Sequence, residues 1–435
     1  MTVRSAVGGE FILLFTVMLT VAAGNTALQS VLPALGRSLH VADSAVALCF
    51  SASALLWVIA APLWARRSDM RGRRAMILTG IGGYAVSLGT CGLFLAAGIN
   101  GWIAGSTAFG LFIVGRLIYG AFGSAAPPAV QALVAGQTER DERTRALTLL
   151  ASATGLGTIL GPAIAPFLTL GSIGRIEIGL AGPAFVACAF GVAMVVAVHA
   201  LLPRDTGYHP GHGAAMSYPS IGGQATGASV TAATAEGIET VGYRDPRVRG
   251  WMLVGLVMGH AQAMTGQVIG FLVIDRLHLA PALALEPTGI VLMMGAGASL
   301  LVQWGIIPLL DLSPRRLVLV GLVFAAIGTA LTGLATSLYG IAVAYALASM
   351  GFGFTRPGFT AGASLAVGPG GQGSVAGKVT SINGACFVLG PSIGVGLYEI
   401  GHALPYLAAG AACVATGMFG WFMLRGAALD PAPVR

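Results

Sequence analysis

Residues 66–74 read RRSDMRGRR and concentrate charge in a chain of which only 9% of the residues are charged. Apolar runs flank this stretch, at residues 46–65 before it and 75–99 after it. Each run is long enough to cross a bilayer, which takes about 20 apolar residues. Arginine and lysine accumulate on the cytoplasmic side of membranes. The stretch is therefore typical of a short cytoplasmic turn between two membrane-spanning helices.

The composition extends this interpretation to the whole chain. Of the 435 residues, 56% are hydrophobic, which is typical of a polytopic membrane protein. We predict an all-α, multi-pass fold with twelve spans embedded in the lipid bilayer. The predicted spans are residues 11–35, 46–65, 75–98, 105–134, 146–170, 180–202, 250–274, 287–310, 317–336, 339–365, 377–400 and 403–424.

The second half of the chain repeats features of the first. Asp69-x-x-x-Arg73-Arg74 recurs as Asp311-x-x-x-Arg315-Arg316, and Gly161-Pro162 recurs as Gly390-Pro391. In the same way Gly24-Asn25 corresponds to Gly259-His260. An internal repeat of this length predicts two parallel six-helix bundles, at residues 1–202 and 250–435. Residues 203–249 are rich in Gly, Ser, Thr, Pro and Ala and are predicted to be a cytoplasmic linker.

The distribution of positive charge predicts the orientation in the membrane. With the N-terminus inside, 18 of the 23 arginines and lysines are cytoplasmic and three are external. We therefore expect both termini to lie in the cytoplasm and the protein to lie in the cell inner membrane. The net charge of +7 follows from this topology and predicts no nucleic-acid partner. The five cysteines fall inside predicted spans, which favours packing roles, so we expect no metal site and no cofactor.

Three motifs resemble those of the major facilitator superfamily. The stretch from Ala65 to Arg74 resembles its G-x-x-x-D-R-x-G-R-R loop, with Ala65 and Met70 as departures. Arg116-x-x-Tyr119-Gly120 resembles R-x-x-Q-G, with Tyr119 in place of Gln. The run Gly157-x-x-x-Gly161-Pro162-x-x-Ala165-Pro166 resembles the G-x-x-x-G-P-x-x-G-G signature of proton-driven antiporters, with Ala165 and Pro166 in place of the final glycines. The resemblance implies a monomeric transporter of the bacterial drug and metabolite exporter branch.

The resemblance also implies which residues gate transport. The charged loops would latch one conformation, with Asp69 engaging a helix N-terminus or an arginine across the interface between the halves. Glycine and proline in span 5 allow close helix contact and a kink. The implied gating residues are Asp69, Gly72, Arg73, Arg74, Gly157, Gly161, Pro162, Asp311, Arg315 and Arg316.

Polar side chains near mid-membrane are costly and therefore mark candidate substrate contacts. None of the sixteen carboxylates lies at the centre of a predicted span, so a neutral or anionic substrate is favoured. Histidine changes charge between pH 5 and 8, which makes His260, with Arg116, the candidate for proton coupling. These side chains can instead serve only to bond neighbouring helices. The candidate substrate contacts are Asn25, Gln29, Arg116, Tyr119, His260, Gln262, Gln267 and Arg356.

We therefore interpret the sequence as a secondary transporter that exports a small organic molecule by alternating access, with protons as the coupled ion. The alternative is an importer of an organic anion or of a metal chelate such as a siderophore. A polytopic membrane enzyme is less favoured, because no nucleophile–base arrangement appears at a membrane face.

Overall fold

The computed structural model describes residues 8–138, 140–204, 239–310 and 312–424. The side chains of residues 65, 66, 69, 140–145, 148 and 369 are outside this description. The predicted linker falls largely outside the described residues, because only its first two and last eleven residues are included. Its extent and its cytoplasmic position therefore stay predictions.

Twelve helices in the described part of the chain are long and apolar enough to cross a membrane, as predicted. We number them as spans 1 to 12. Their bounds are Gly9–Ser38, Asp43–Trp64, Arg73–Ile99, Gly105–Gln137, Leu149–Leu168, Gly182–Leu201, Arg249–Leu277, Pro281–Leu310, Pro314–Leu334, Leu338–Leu365, Gln372–Ile400 and Leu404–Met423. The helices that contain spans 2 and 5 extend over Asp43–Arg71 and Arg140–Ile164.

Three spans depart from regular α-helix, of which span 5 does so only at its end, in a 3₁₀ segment at Ala165–Leu168. Span 4 consists of α-helices Gly105–Phe122 and Ala126–Gln137, joined by one 3₁₀ turn at Gly123–Ala125. The second of these helices begins with prolines at its first turn, where their missing N–H groups cost little. Span 8 passes from an α-helix at Leu285–Leu300 through a π-helical segment at Leu301–Ile306. Such π segments are frequent at functional sites.

A β-hairpin connects spans 5 and 6, and the sequence analysis did not predict it. Strand β1 (Leu170–Ile173) pairs antiparallel with strand β2 (Ile176–Gly179). Asn100 holds this hairpin, since its side-chain amide donates to the Glu177 carbonyl at 2.7 Å. The hairpin is mostly exposed at the surface and leaves the all-α architecture of the core unchanged.

The turn between spans 2 and 3 depends on a single glycine. Gly72 has a φ of +92°, a conformation that L side chains rarely adopt. Its N–H donates to the Ser68 carbonyl at 3.1 Å and so ends the second helix. The third helix begins at the next residue, Arg73. The reversal predicted at this glycine is confirmed.

Each half brings two of its spans into backbone contact through glycine. A Cβ added at Gly157 would lie 2.6 Å from Ala22 Cβ, so span 5 packs directly on span 1. A Cβ added at Gly390 would lie 2.6 Å from Ala263 Cβ, so span 11 packs on span 7 in the same way. Small residues at such crossings are typical of close helix contact in membranes. Spans 1 and 5 therefore pack against each other in the first half as spans 7 and 11 do in the second.

The two ends of the bundle carry different features. The linker end carries the 66–74 turn and the described residues on either side of the linker. The hairpin end carries β1 and β2. At the linker end, Val241 is buried and its N–H donates to Ser374 Oγ at 3.0 Å. The last residues before span 7 therefore belong to the second half.

Candidate functional site

A cavity lies between the two halves, lined by spans 1 and 5 from the first half and spans 7, 8 and 10 from the second. Measured with the open space at its mouth, it has a volume of about 830 Å³. Three of the predicted substrate contacts line it, namely Gln29, Gln262 and Gln267. Its other polar lining residues, which the sequence analysis missed, are Thr26, Ser30, Thr158, Thr265, Thr288, Ser299, Tyr345 and Ser349.

Arg116 lies inside the first half and not in the lining of this cavity. It is 3% exposed, and one of its terminal nitrogens donates to Asn25 Oδ1 at 2.8 Å. Its guanidinium carbon lies 4.8 Å from the ring centroid of Tyr119 and 5.7 Å from that of Phe50. Aromatic faces and an amide oxygen are favourable partners for a buried cation. The geometry therefore gives Arg116 a role in joining spans 1, 2 and 4.

Arg356 makes the corresponding contact in the second half. It is also 3% exposed, and it donates a short hydrogen bond to Gln262 Oε1. Here the amide partner lines the cavity, although Arg356 itself does not. The arginine occupies the oxygen of the Gln262 amide and not its nitrogen, so the two N–H groups can donate to a molecule in the cavity. A single side chain thus separates the Arg356 charge from the cavity.

His260 lies on span 7 close to the cavity but is not among its lining residues. Its Nδ1 is 2.8 Å from the Leu256 carbonyl oxygen and 3.3 Å from Cys386 Sγ. The residue that bonds the buried arginine of the second half is Gln262, two positions after His260. Two further amides lie in spans of the second half. Gln303 lies in the π-helical segment of span 8, and Asn383 is buried in span 11.

An ion-pair network, the hairpin-end cluster, joins the two halves at the hairpin end and consists of Arg37, Asp43, Asp275, Tyr398 and His402. Arg37 of span 1 binds both oxygens of Asp275 of span 7, one of them at 2.9 Å, and lies 2.7 Å from Asp43. The Tyr398 hydroxyl donates to Asp275 at 2.6 Å, and His402 Nε2 lies 3.7 Å from the same carboxylate. The Arg37 and Asp275 side chains are only 23% and 16% exposed. The cluster therefore closes the hairpin end.

Further contacts between the two halves lie between the hairpin-end cluster and the middle of the bundle. Ser51 Oγ of span 2 lies 2.8 Å from Ser392 Oγ of span 11. A Cβ added at Gly270 would lie 2.7 Å from Pro33 Cγ of span 1. A Cβ added at Gly289 of span 8 would lie 2.9 Å from the Pro162 carbonyl oxygen. Pro162, predicted to gate, therefore lies at the interface between the halves.

The predicted gating arginines at the linker end contact their own halves in this conformation. Arg73 donates a short hydrogen bond to the Ala132 carbonyl, and Arg74 donates to the His199 carbonyl at 2.5 Å. In the second half, Arg315 donates to the Trp421 carbonyl at 3.0 Å. The Asp69 side chain and Asp311 lie outside the described residues, so their latch role stays a prediction.

The missed lining residues and the hairpin-end cluster had weak sequence signals. The lining of span 1 repeats at helical spacing, through Thr26, Gln29, Ser30 and Pro33. Asn25 and Gln29 were predicted there, whereas the hydroxyl groups beside them were not. Arg37 and Asp275 lie near the ends of spans 1 and 7 and are far apart along the chain, so neither residue alone indicates the pair.

Two six-helix halves around a shared cavity are the arrangement of secondary transporters. The family model described as "Major Facilitator Superfamily" matches residues 14–391, so the chain belongs to that superfamily and is a transporter of small molecules. This assignment points to a transporter and not to an enzyme.

Known proteins of similar sequence and structure agree with the family. The chain is 27% identical over 188 residues to "Multidrug resistance protein 2" of Bacillus subtilis (strain 168); the match covers 43% of this chain and 42% of that relative. It therefore spans less than half the length of the curated relative. The human organic anion transporter MFSD10 (TETRAN) has a TM-score of 0.63 and 19% identity, covering 95% of this chain and all of that one. The xylose transporter XylE from E. coli has a TM-score of 0.67 and 13% identity, covering 94% and 96%.

Proposed function

We propose that the protein exports a small organic molecule, neutral or anionic, across the cytoplasmic membrane by alternating access of its two halves. The observation that carries this proposal is a cavity shared by both halves whose hairpin end is closed by the Arg37–Asp275 network. Release on that side requires the network to separate and the halves to rock apart. The partial match to a multidrug resistance protein supports the outward direction. Protons are the proposed coupled ion, with His260 and Arg116 as the proposed coupling residues.

Transport in inverted membrane vesicles tests this proposal. A labelled panel of organic compounds is offered with and without a pH gradient, acid inside. Export predicts that at least one compound accumulates inside these vesicles, and that dissipating the gradient releases it. Vesicles that lack the protein are the control. Equilibration that is equal in both directions and insensitive to the gradient would contradict active export.

The proposed orientation places the linker end in the cytoplasm and the hairpin end outside. The 18 arginines and lysines assigned to the linker side support it. Cysteine labelling in intact cells tests it with Ser220→Cys in the linker and Ser172→Cys in β1. We expect an impermeant thiol reagent to label only Ser172→Cys. Labelling of Ser220→Cys from outside would reverse the proposed topology.

A further inference from the structure

The cavity between the halves carries many polar groups but no charged ones. Eleven of its twenty lining residues carry a hydroxyl or a side-chain amide, and none of the twenty is Asp, Glu, Lys, Arg or His. An ion placed there would lose hydration without a charged partner, which is costly in a membrane interior. We propose that the site selects an uncharged, polyhydroxylated solute, such as a polyol or a glycoside. This inference rests on the proposed transport function.

Four of the eight hydroxyl groups in the lining already donate to backbone carbonyls, which leaves their oxygens as acceptors for a solute. Thr26 donates to the Ala22 carbonyl at 2.9 Å, and Thr265 donates to the Ala261 carbonyl at 2.8 Å. Ser30 and Thr158 donate to carbonyls of their own helices in the same manner. Each hydroxyl has one hydrogen to donate and two lone pairs to accept with. These four hydroxyls therefore present acceptors to the cavity, which match the O–H donors of a solute and disfavour a carboxylate or a phosphate beside them.

Gln267 adds an acceptor that has no partner of its own. The residue lines the cavity and is 3% exposed, and its Oε1 makes no hydrogen bond in the described part of the chain. A buried carbonyl oxygen without a donor is destabilising, so a solute hydroxyl that donates to it would be favoured on binding. Gln262 supplies the complementary donor, because its oxygen accepts from Arg356 and its N–H groups remain free. A hydroxyl-rich solute can satisfy both amides.

The strongest competing occupant is an organic anion attracted by Arg356 or Arg116. Neither arginine is in the cavity lining, and each is 3% exposed with an amide oxygen as partner. An anion in the cavity would therefore be desolvated without a cation in contact with it. The missing charged partner favours the uncharged solute.

Binding to the purified full-length protein in detergent tests this inference separately from transport. The probes share one sugar ring: methyl glucoside is neutral, glucuronate is anionic, and glucosamine is cationic. The same neutral, uronate and amino forms of a disaccharide extend the set. We expect thermal unfolding to shift upward with a neutral member and not with its charged counterparts. Binding of a uronate as tight as its neutral form, or no binding of any neutral member, would overturn the inference.

Variants connect the binding to the named side chains. Gln267→Leu should weaken binding of the neutral probe about tenfold, the effect of losing roughly 1.4 kcal/mol. Thr265→Val keeps the side-chain shape and should also weaken it, which guards against a folding defect in Gln267→Leu. Gln303→Leu is the matched control, because Gln303 lies outside the cavity lining. Unchanged affinity in both lining variants would overturn the assignment. Failure of vesicle transport with intact binding would count against the transport proposal alone.

Discussion

The two halves resemble each other inside and differ where they meet. Each half buries an arginine that donates to a side-chain amide, Arg116 to Asn25 and Arg356 to Gln262. At the hairpin end, by contrast, the two halves carry opposite charges, Arg37 in span 1 and Asp275 in span 7, and these side chains pair with each other. Two like charges at this point would repel. The halves therefore meet here through a difference between their sequences.

A second difference between the halves lies at another contact of spans 1 and 7. Pro33 in span 1 and Gly270 in span 7 touch, since a Cβ at Gly270 would lie 2.7 Å from Pro33 Cγ. Two prolines could not share that space. The two halves therefore differ in sequence where they contact each other. Inside each half, the buried arginine and its amide partner are alike.

Charge reversal in the hairpin-end cluster should produce the largest effect. Asp275→Arg places a like charge beside Arg37 and should hold the hairpin end open, so transport should fall more than tenfold. Coupling between contacting charges of this kind amounts to about 0.5–3 kcal/mol. Transport of a substrate in vesicles measures the loss. Arg276→Gln is the matched control, because Arg276 donates to the Gly333 carbonyl within its own half.

A cross-link reports the conformation directly. Ser51→Cys with Ser392→Cys, in a background without the native cysteines, should form a disulfide where the two hydroxyls now lie 2.8 Å apart. Adding Asp275→Arg should suppress this disulfide, and adding Arg37→Asp as well should restore part of it. Equal cross-linking in all backgrounds would show that the hairpin-end cluster does not hold the halves together.

Truncation of the two amides should distinguish the two arginine sites. Asn25→Leu and Gln262→Leu each remove the acceptor of a buried guanidinium, which should cost about 1.5–3 kcal/mol of stability. Only Gln262 lines the cavity, so only Gln262→Leu should also weaken substrate binding. Thermal unfolding and ligand affinity, measured on both variants, separate the effects. Equal loss of affinity in Asn25→Leu would place Asn25 among the substrate contacts.

The sequence predicted the fold well because membrane insertion depends on local properties of the chain. Twelve apolar runs, the turn at Gly72 and the glycine contact at Gly157 each follow from neighbouring residues. The site was harder to predict. Whether Gln29 or Arg116 faces the cavity depends on how each helix is rotated in its half, and the low contrast between lipid and protein interior leaves little trace of that rotation in the sequence.

The hairpin-end cluster was missed for a different reason. Arg37 and Asp275 are far apart along the chain, and each alone resembles an ordinary charge at the end of a span. Their pairing depends on how the two halves pack against each other, which neither residue indicates by itself. The β-hairpin was missed because its strands are four residues each and lie at the surface, where no alternating pattern is required.

A smaller effect is expected at the linker end. Asp69→Asn removes the charge of the predicted latch, and an acid near a helix N-terminus contributes about 0.3–1 kcal/mol. We therefore expect transport to slow by roughly a factor of five with substrate affinity nearly unchanged, because a latch biases conformations without contacting substrate. Asp311→Asn is the equivalent change in the second half. Transport rates and equilibrium binding are both measured, and lost binding in Asp69→Asn would refute the latch.

The last expected change is confined to coupling: it concerns pH dependence, and it sharpens the difference between spans 1 and 7. Matching Gly24-Asn25 with Gly259-His260 aligns His260 with the amide of span 1, yet Gln262 takes the arginine contact. The imidazole is therefore not committed to holding Arg356. Its Nδ1 lies 2.8 Å from the Leu256 carbonyl oxygen, and donation to that oxygen leaves Nε2 able to take up a proton. Cys386 Sγ lies 3.3 Å from Nδ1.

His260→Gln tests whether this proton is part of the transport cycle. A proton carrier predicts that the variant loses accumulation driven by a pH gradient but keeps exchange of labelled for unlabelled substrate, since exchange needs no net proton movement. His199→Gln is the matched control, because the backbone carbonyl of His199, and not its ring, accepts from Arg74. Both assays are run across pH 5–8, where histidine changes charge. Accumulation in His260→Gln with the pH dependence of the unaltered protein would remove His260 from coupling and leave it a helix-packing residue.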